Sequence, residues 1–254
     1  MKCLLLSLAL LELLLWHKGS ALFLNEDCER IDEEDGATTA PWMAAVSNEQ
    51  GFLCGGSLIT KKFVLTAAHC IKDQEKLFVK LGVLDRSDAY GMDFNVSRII
   101  MHGDYQTNPG VNDIGLLKLA SEVDYTDRIR PICILMDAAS VLQNINRFSA
   151  FGWGKTETGN LSQNLKTIQL RRLPSDKCQH DNMPQLTNTQ FCADSETGDG
   201  PCIGDGGGPL TSIVRNRTVQ VGIVSYGPRD CNLSAVYTDV ASYTGWIASN
   251  VHKA

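Results

Sequence analysis

Three short segments carry the residues whose types could do chemistry. Leu65-Thr66-Ala67-Ala68-His69-Cys70 holds a histidine, and Asn112-Asp113-Ile114-Gly115-Leu116-Leu117-Lys118-Leu119 holds an aspartate ahead of an apolar run. Cys202-Ile203-Gly204-Asp205-Gly206-Gly207-Gly208-Pro209-Leu210 is a glycine-rich loop. An imidazole moves protons near neutral pH, and a carboxylate bonded to one ring nitrogen fixes its tautomer. A glycine-rich turn lets backbone N–H groups face a ligand and hold an oxyanion without any side chain. The set would suit acyl transfer if a hydroxyl stood beside the imidazole. No serine or threonine lies between Cys202 and Pro209.

In this order the segments resemble the histidine, aspartate and nucleophile motifs of the trypsin-like serine proteases. The nucleophile loop of that family reads Cys-x-Gly-Asp-Ser-Gly-Gly-Pro-Leu. Every fixed position matches except the serine, where this chain has Gly206. Further matches in register are Pro41-Trp42-Met43, Cys54 to Ile59, Phe151 to Gly154, Ser225 to Gly227 and Val236 to Thr238. The resemblance runs over nearly the whole chain after residue 41. It implies an all-β fold of two six-stranded antiparallel barrels with a cleft between them. It extends to the secreted insect branch, in which inactive homologues regulate extracellular protease cascades as cofactors, decoys or recognition modules.

The resemblance also implies roles. His69 and Asp113 would form the general-base pair, Ser225 would support the aspartate, and the N–H groups of Gly204 and Gly206 would form the oxyanion hole. A serine hydroxyl attacks only when an imidazole takes its proton; with Gly206 there is no such hydroxyl. Gly200, Ser225, Gly227 and Ala235 would line the substrate pocket. Trypsins carry an aspartate at the position of Gly200 to receive Arg or Lys, whereas here Asp199 stands one place earlier. Ala235 replaces a pocket glycine and narrows it. Arg30-Ile31 resembles a remnant activation site, yet Asp32-Glu33-Glu34-Asp35 follows where the family has Val-Gly-Gly. Burying those acidic side chains without partners is unfavourable by several kcal/mol. Val83 stands where calcium-binding relatives have glutamate, so calcium is not expected near Asp85, Asp88 and Asp93. No metal and no cofactor is expected elsewhere. The alternative reading is a trypsin-like endopeptidase acting in proteolysis.

The elements that must position these residues read as short strands. Apolar runs at 43–46, 51–54, 57–59, 63–65, 77–81, 94–96 with 99–100, and 114–119 are separated by Gly, Asn, Asp and Lys clusters. A second set covers 148–153, 165–170, 190–193, 210–214, 219–224 and 235–240. Strands this short and this closely spaced point to a barrel or sandwich rather than βαβ units. Tyr243, Trp246, Ile247 and Val251 recur at helical spacing, predicting a C-terminal helix with Ser242 as its N-cap.

Ahead of the domain (residues 41–254), residues 1–21 read as a signal peptide. Lys2 precedes an apolar run from Leu4 to Leu15, with Gly19 and Ala21 before the cleavage point. That run is shorter than the ~20 residues a membrane span needs. Residues 22–40 read as a solvated acidic tail, since seven of the ten positions from Glu26 to Asp35 are Asp or Glu. The net charge of -6 argues against nucleic-acid or anionic-membrane partners; the family resemblance implies extracellular protein partners such as proteases, their substrates or inhibitors.

Of nine cysteines, Cys3 falls in the signal. The remaining eight suit four disulfides in an oxidising compartment, with 105 pairings open to the sequence alone. The family resemblance implies Cys28–Cys133, Cys54–Cys70, Cys178–Cys192 and Cys202–Cys231. A further family bridge has Phe148 and Ser212 at its two positions. Sequons at Asn95, Asn160, Asn216 and Asn232, each beside a turn-like segment, predict glycosylation of an exported chain.

Overall fold

A computed structural model describes residues 23–29, 40–108, 110–136, 139–156, 158–178, 185–195, 200–227 and 234–253. The signal segment, Arg30-Ile31, the acidic run 32–35, Asp199, Cys231 and Asn232 lie outside them.

Twelve antiparallel strands close into two barrels, as the sequence predicts. The first contains β1 (Met43–Asn48), β2 (Gly51–Thr60), β3 (Phe63–Thr66), β4 (Phe78–Leu81), β5 (Met92–Met101) and β6 (Gly115–Leu119), in the order β1-β2-β3-β6-β5-β4. The second contains β7 (Arg147–Gly152), β8 (Lys166–Leu173), β9 (Gln190–Ser195), β10 (Pro209–Val214), β11 (Arg217–Tyr226) and β12 (Ala235–Asp239), in the order β10-β11-β12-β9-β8-β7. Inward side chains fill each barrel: Leu58, Leu65, Leu81 and Leu117 in the first, Phe148, Leu170, Leu210 and Tyr237 in the second.

The two apolar runs expected at 51–54 and 57–59 are one ten-residue strand. Gly55 and Gly56 join them because the packing leaves no room for a Cβ. One on Gly55 would sit 3.1 Å from the Gly208 backbone, and one on Gly56 would sit 2.9 Å from Val64. The glycines mark close approach, not a break. Phe148 and Ser212 face each other by extension of the register Leu210↔Ala150 and Thr211↔Ser149.

The barrels meet along a seam. Ser57 Oγ donates to Gln220 Oε1 (2.6 Å), Trp42 packs edge-on against Phe151 at 5.5 Å, and Trp153 Nε1 and the Leu165 N–H both donate to the Leu84 carbonyl. The chain ends in a helix, Thr244–His252, preceded by a 3₁₀ turn at Val240–Tyr243. Val240, Tyr243 and Ile247 bury against the first barrel. Ser242 is not the helix cap: it lies inside the 3₁₀ turn and donates to Asp239 Oδ2 at 2.8 Å.

Residues 23–29 are not a solvated tail. They lie along the second barrel, held by the Cys28–Cys133 disulfide, by a bridge between Phe23 and Leu135, and by Arg217. Arg217 Nη1 donates to the carbonyls of Glu26 and Cys28, and the guanidinium stacks on Phe23 at 4.8 Å. Only Glu26 and Asp27 face solvent fully. The acidic composition hid the segment's apolar anchors: Phe23, Leu24 and Cys28. No helix among the described residues is long and apolar enough to cross a membrane.

Candidate active-site cleft

His69 sits in the one-turn helix Ala68–Ile71 that follows β3, and Asp113 sits in the turn before β6. Asn112 makes that turn possible by taking a positive φ of 57°, a conformation asparagine tolerates better than most residues. Its side chain is pinned at both ends, donating to the Asp104 carbonyl and accepting from Tyr243 Oη (2.7 Å). Thr238 Oγ1 donates to the Asp113 carbonyl. Tyr243 and Thr238 therefore aim the aspartate from the second barrel and the C-terminal segment. Sequence reasoning placed both in elements but gave neither this role, because a hydroxyl's partner across the fold leaves no local pattern.

The Asp113 carboxylate is 2% exposed and is met by three groups. It accepts from the His69 backbone N–H (2.8 Å) and from Ser225 Oγ (2.5 Å), and it lies 2.8 Å from His69 Nδ1. The acceptor-only carboxylate makes Nδ1 the protonated nitrogen, so Nε2 faces outward towards Gly206. The three expected residues His69, Asp113 and Ser225 are thus brought together.

The loop from Cys202 to Gly208 is fastened by its backbone. The Gly55 N–H donates to the Gly206 carbonyl, the Gly207 N–H to the Val224 carbonyl, and the Gly208 N–H to the Asp205 carbonyl. Asp205 is buried over the Gly152–Gly154 stretch, where its carboxylate accepts from the N–H groups of Gly154 (2.7 Å) and Cys202 (2.8 Å). Burial pushes its carboxyl above its ordinary pKa, against the opposing pull of those two donors. Both barrels therefore hold the loop in place.

Gly206 stands directly before the imidazole. A Cβ there would lie 2.6 Å from His69 Nε2 and 3.1 Å from Cε1, closer than side chains pack. The ring occupies the space in which a nucleophile's side chain would start. The N–H groups of Gly204 and Gly206 have no acceptor among the described residues, and both glycines border a cavity of about 440 Å³.

Of the four expected pocket residues, Ser225, Gly227 and Ala235 line that cavity; Gly200 does not. The next two residues, Pro201 and Cys202, do. The Ala235 methyl lies 2.9 Å from where Gly227 would carry a Cβ. Among the described residues the lining carries no carboxylate and no Lys or Arg.

Cys54, His69 and Cys70 place ligand-type atoms within 4.8 Å of one another, but both sulfurs belong to the Cys54–Cys70 disulfide and offer no thiolate. Asp85 is engaged by Ser87 and Gln163, whose hydrogen bonds hold its carboxyl below its ordinary pKa. Cys28–Cys133 and Cys178–Cys192 are formed as well. Cys202 is disulfide-bonded, and its expected partner, Cys231, lies outside the described residues. Asn95, Asn160 and Asn216 are exposed. Asn95 is not beside a turn, however; it lies within β5, paired with Phe78.

A histidine and a buried aspartate joined at the seam of two such barrels is the arrangement of the trypsin-like serine proteases, and the Trypsin family model matches residues 32–247. The chain belongs to that family. It is similar to three insect proteins in particular. These are the CLIP domain-containing serine protease B4 of Anopheles gambiae (34% identical over 84% of this chain and 67% of the relative) and, from Drosophila melanogaster, the serine protease ea (35% over 84% and 64%) and melanization protease 1 (37% over 83% and 62%). The chain thus spans about two thirds of the length of these curated relatives.

Proposed function

We propose that this protein is a secreted, non-catalytic member of the trypsin family that acts by binding extracellular proteins through its cleft. One observation carries the reading: the position facing His69 Nε2 is Gly206, and the imidazole fills the space where a nucleophile would stand. Loss of the nucleophile alone lowers kcat about 10⁶-fold in subtilisin, which leaves no useful peptide hydrolysis. What remains suits binding. The loop is rigidly held, the Gly204 and Gly206 N–H groups face the cavity, and His69, Asp113 and Ser225 keep their network. The names of the relatives, melanization protease 1 among them, support a place in an extracellular immune-type cascade. Its partners there are proteases, protease substrates or inhibitors, with no role for nucleic acid or membrane. Residues 1–21 act as the export signal, residues 22–40 precede the domain, and exposed Asn95, Asn160 and Asn216 carry glycans.

The intact His69–Asp113–Ser225 network favours a second reading, a trypsin-like endopeptidase. Fluorogenic peptide hydrolysis separates the two. Under the proposal the secreted protein shows no turnover above buffer on substrates with basic, aromatic or small residues before the scissile bond. Saturable turnover that survives repurification and disappears in His69→Ala would establish the enzyme reading instead.

A further inference from the structure

The Cys54–Cys70 bridge stands apart from the two other bridges whose cysteines are both described. Cys54 and Cys70 line the cavity of about 440 Å³ on either side of His69. Cys28–Cys133 and Cys178–Cys192 do not border that cavity, and their cysteines are at most 2% exposed, against 6% for Cys54 and Cys70. Arg217 Nη1 lies 3.2 Å from Cys28 Sγ, and Cys178 and Cys192 pack with Val236 in an apolar cluster. A disulfide exchanges only where a thiol can reach one of its sulfurs, so access separates the three bridges.

The neighbours of the bridge add chemistry to that access. A Cβ on Gly206 would stand 3.7 Å from Cys54 Sγ, so the glycine lays no side chain over that sulfur. On the other sulfur sits a base: His69 Nε2 is 3.4 Å from Cys70 Sγ. Asp113 keeps the ring's proton on Nδ1, which leaves the lone pair of Nε2 beside the bridge. The attacking species in disulfide exchange is the thiolate, and at pH 7 only about 3% of an ordinary thiol is ionised. A proton acceptor in contact with the bridge raises the supply of that species where it is used.

We propose that Cys54–Cys70 is a thiol-exchange site, opened by a small external thiol with His69 carrying the proton. The thiol enters from the cavity and gives its proton to Nε2, and its sulfur bonds to Cys54 Sγ. The Cys54–Cys70 bond breaks, its electron pair stays on Cys70 Sγ, and that sulfur takes the proton back from Nε2. The products are a mixed disulfide on Cys54 and a free Cys70 thiol. A second external thiol releases Cys54 as a thiol and leaves as the small disulfide, so the bridge is reduced and the two external thiols are oxidised. The bridge ties β2 to the one-turn helix that carries His69, so opening it detaches that helix from the strand. This activity goes beyond binding through the cleft and does not rest on it.

The test is timed reduction of the secreted protein by reduced glutathione at pH 7, trapped with N-ethylmaleimide and read by peptide mass spectrometry. The Cys54–Cys70 bridge should open about tenfold or more faster than Cys28–Cys133 and Cys178–Cys192. His69→Gln should slow that bridge about tenfold and leave the other two rates unchanged, whereas a general loosening of the fold would speed all three. Equal rates for the three bridges in the parent overturn the proposal, whether or not His69→Gln folds. A folded His69→Gln that exchanges at the parent rate overturns it as well.

Discussion

Restoring the hydroxyl should not restore an enzyme, and the structure indicates why. In Gly206→Ser the new Cβ would begin 2.6 Å from His69 Nε2, against the 3.4–4 Å of ordinary contact. The imidazole must therefore retreat by about 1 Å. Its far side is fixed: Nδ1 lies 2.8 Å from Asp113, which is buried and held in turn by Ser225. Stretching that charge-assisted bond forfeits about 1.5–3 kcal/mol, and a new Oγ–Nε2 bond returns about 0.5–1.5 kcal/mol. The net is a destabilisation of about 1–2 kcal/mol, or roughly 2–8 °C in Tm for a chain of this size. Differential scanning calorimetry of the parent, Gly206→Ala and Gly206→Ser should show both variants melting lower. Peptide hydrolysis by Gly206→Ser should stay at background, since the pocket also lacks a carboxylate among its described residues. A serine variant with unchanged or raised Tm and efficient hydrolysis would refute the claim that the imidazole has taken over the nucleophile's space.

Three further outcomes are expected. Ser225→Ala removes a buried bond to a carboxylate and should lower stability by about 1.5–3 kcal/mol in urea titration, with near-normal CD. Removing the Cys28–Cys133 bridge by paired alanines frees a loop with a sequence separation of 105, so the urea midpoint should reflect a loss of about 4–5 kcal/mol; an unchanged midpoint would show that Arg217 and Phe23 hold residues 23–29 unaided. Tyr125 has its phenol pKa pushed up to about 12, chiefly by burial. The folded state keeps that proton while the unfolded chain releases it near pH 10. Stability contributed below pH 10 is therefore lost as pH rises towards 12. Tyr125→Phe should flatten the fall in urea midpoint between about pH 10 and pH 12 and remove one tyrosinate absorbance step near pH 12.

The legible parts of the molecule were those set by local sequence. His69, Asp113 and the loop from Cys202 to Leu210 could be found because each needs particular neighbours, and the alternation of a strand such as β7 follows directly from one buried face. What stayed hidden depended on distant partners. Gly55 and Gly56 read as a break because glycine usually punctuates strands, whereas here they admit the Gly208 backbone and Val64. Ser242 read as a cap because its hydroxyl suits one, but Asp239 captured it a turn earlier. Residues 23–29 read as solvated because charge dominates their composition, yet Arg217, 188 or more positions away from any of them, supplies the anchor. The closeness of the imidazole to Gly206 has no sequence signature, since it depends on how two residues far apart in the chain are brought together by the fold.

The central claim, that this cleft binds without attacking, is tested most directly by intact-mass spectrometry of the secreted protein after incubation with a fluorophosphonate. These probes phosphonylate an activated serine beside a histidine. The account predicts an unchanged mass in every glycoform, because Gly206 offers no oxygen to the probe. One probe adduct per chain, abolished by His69→Ala, would contradict it.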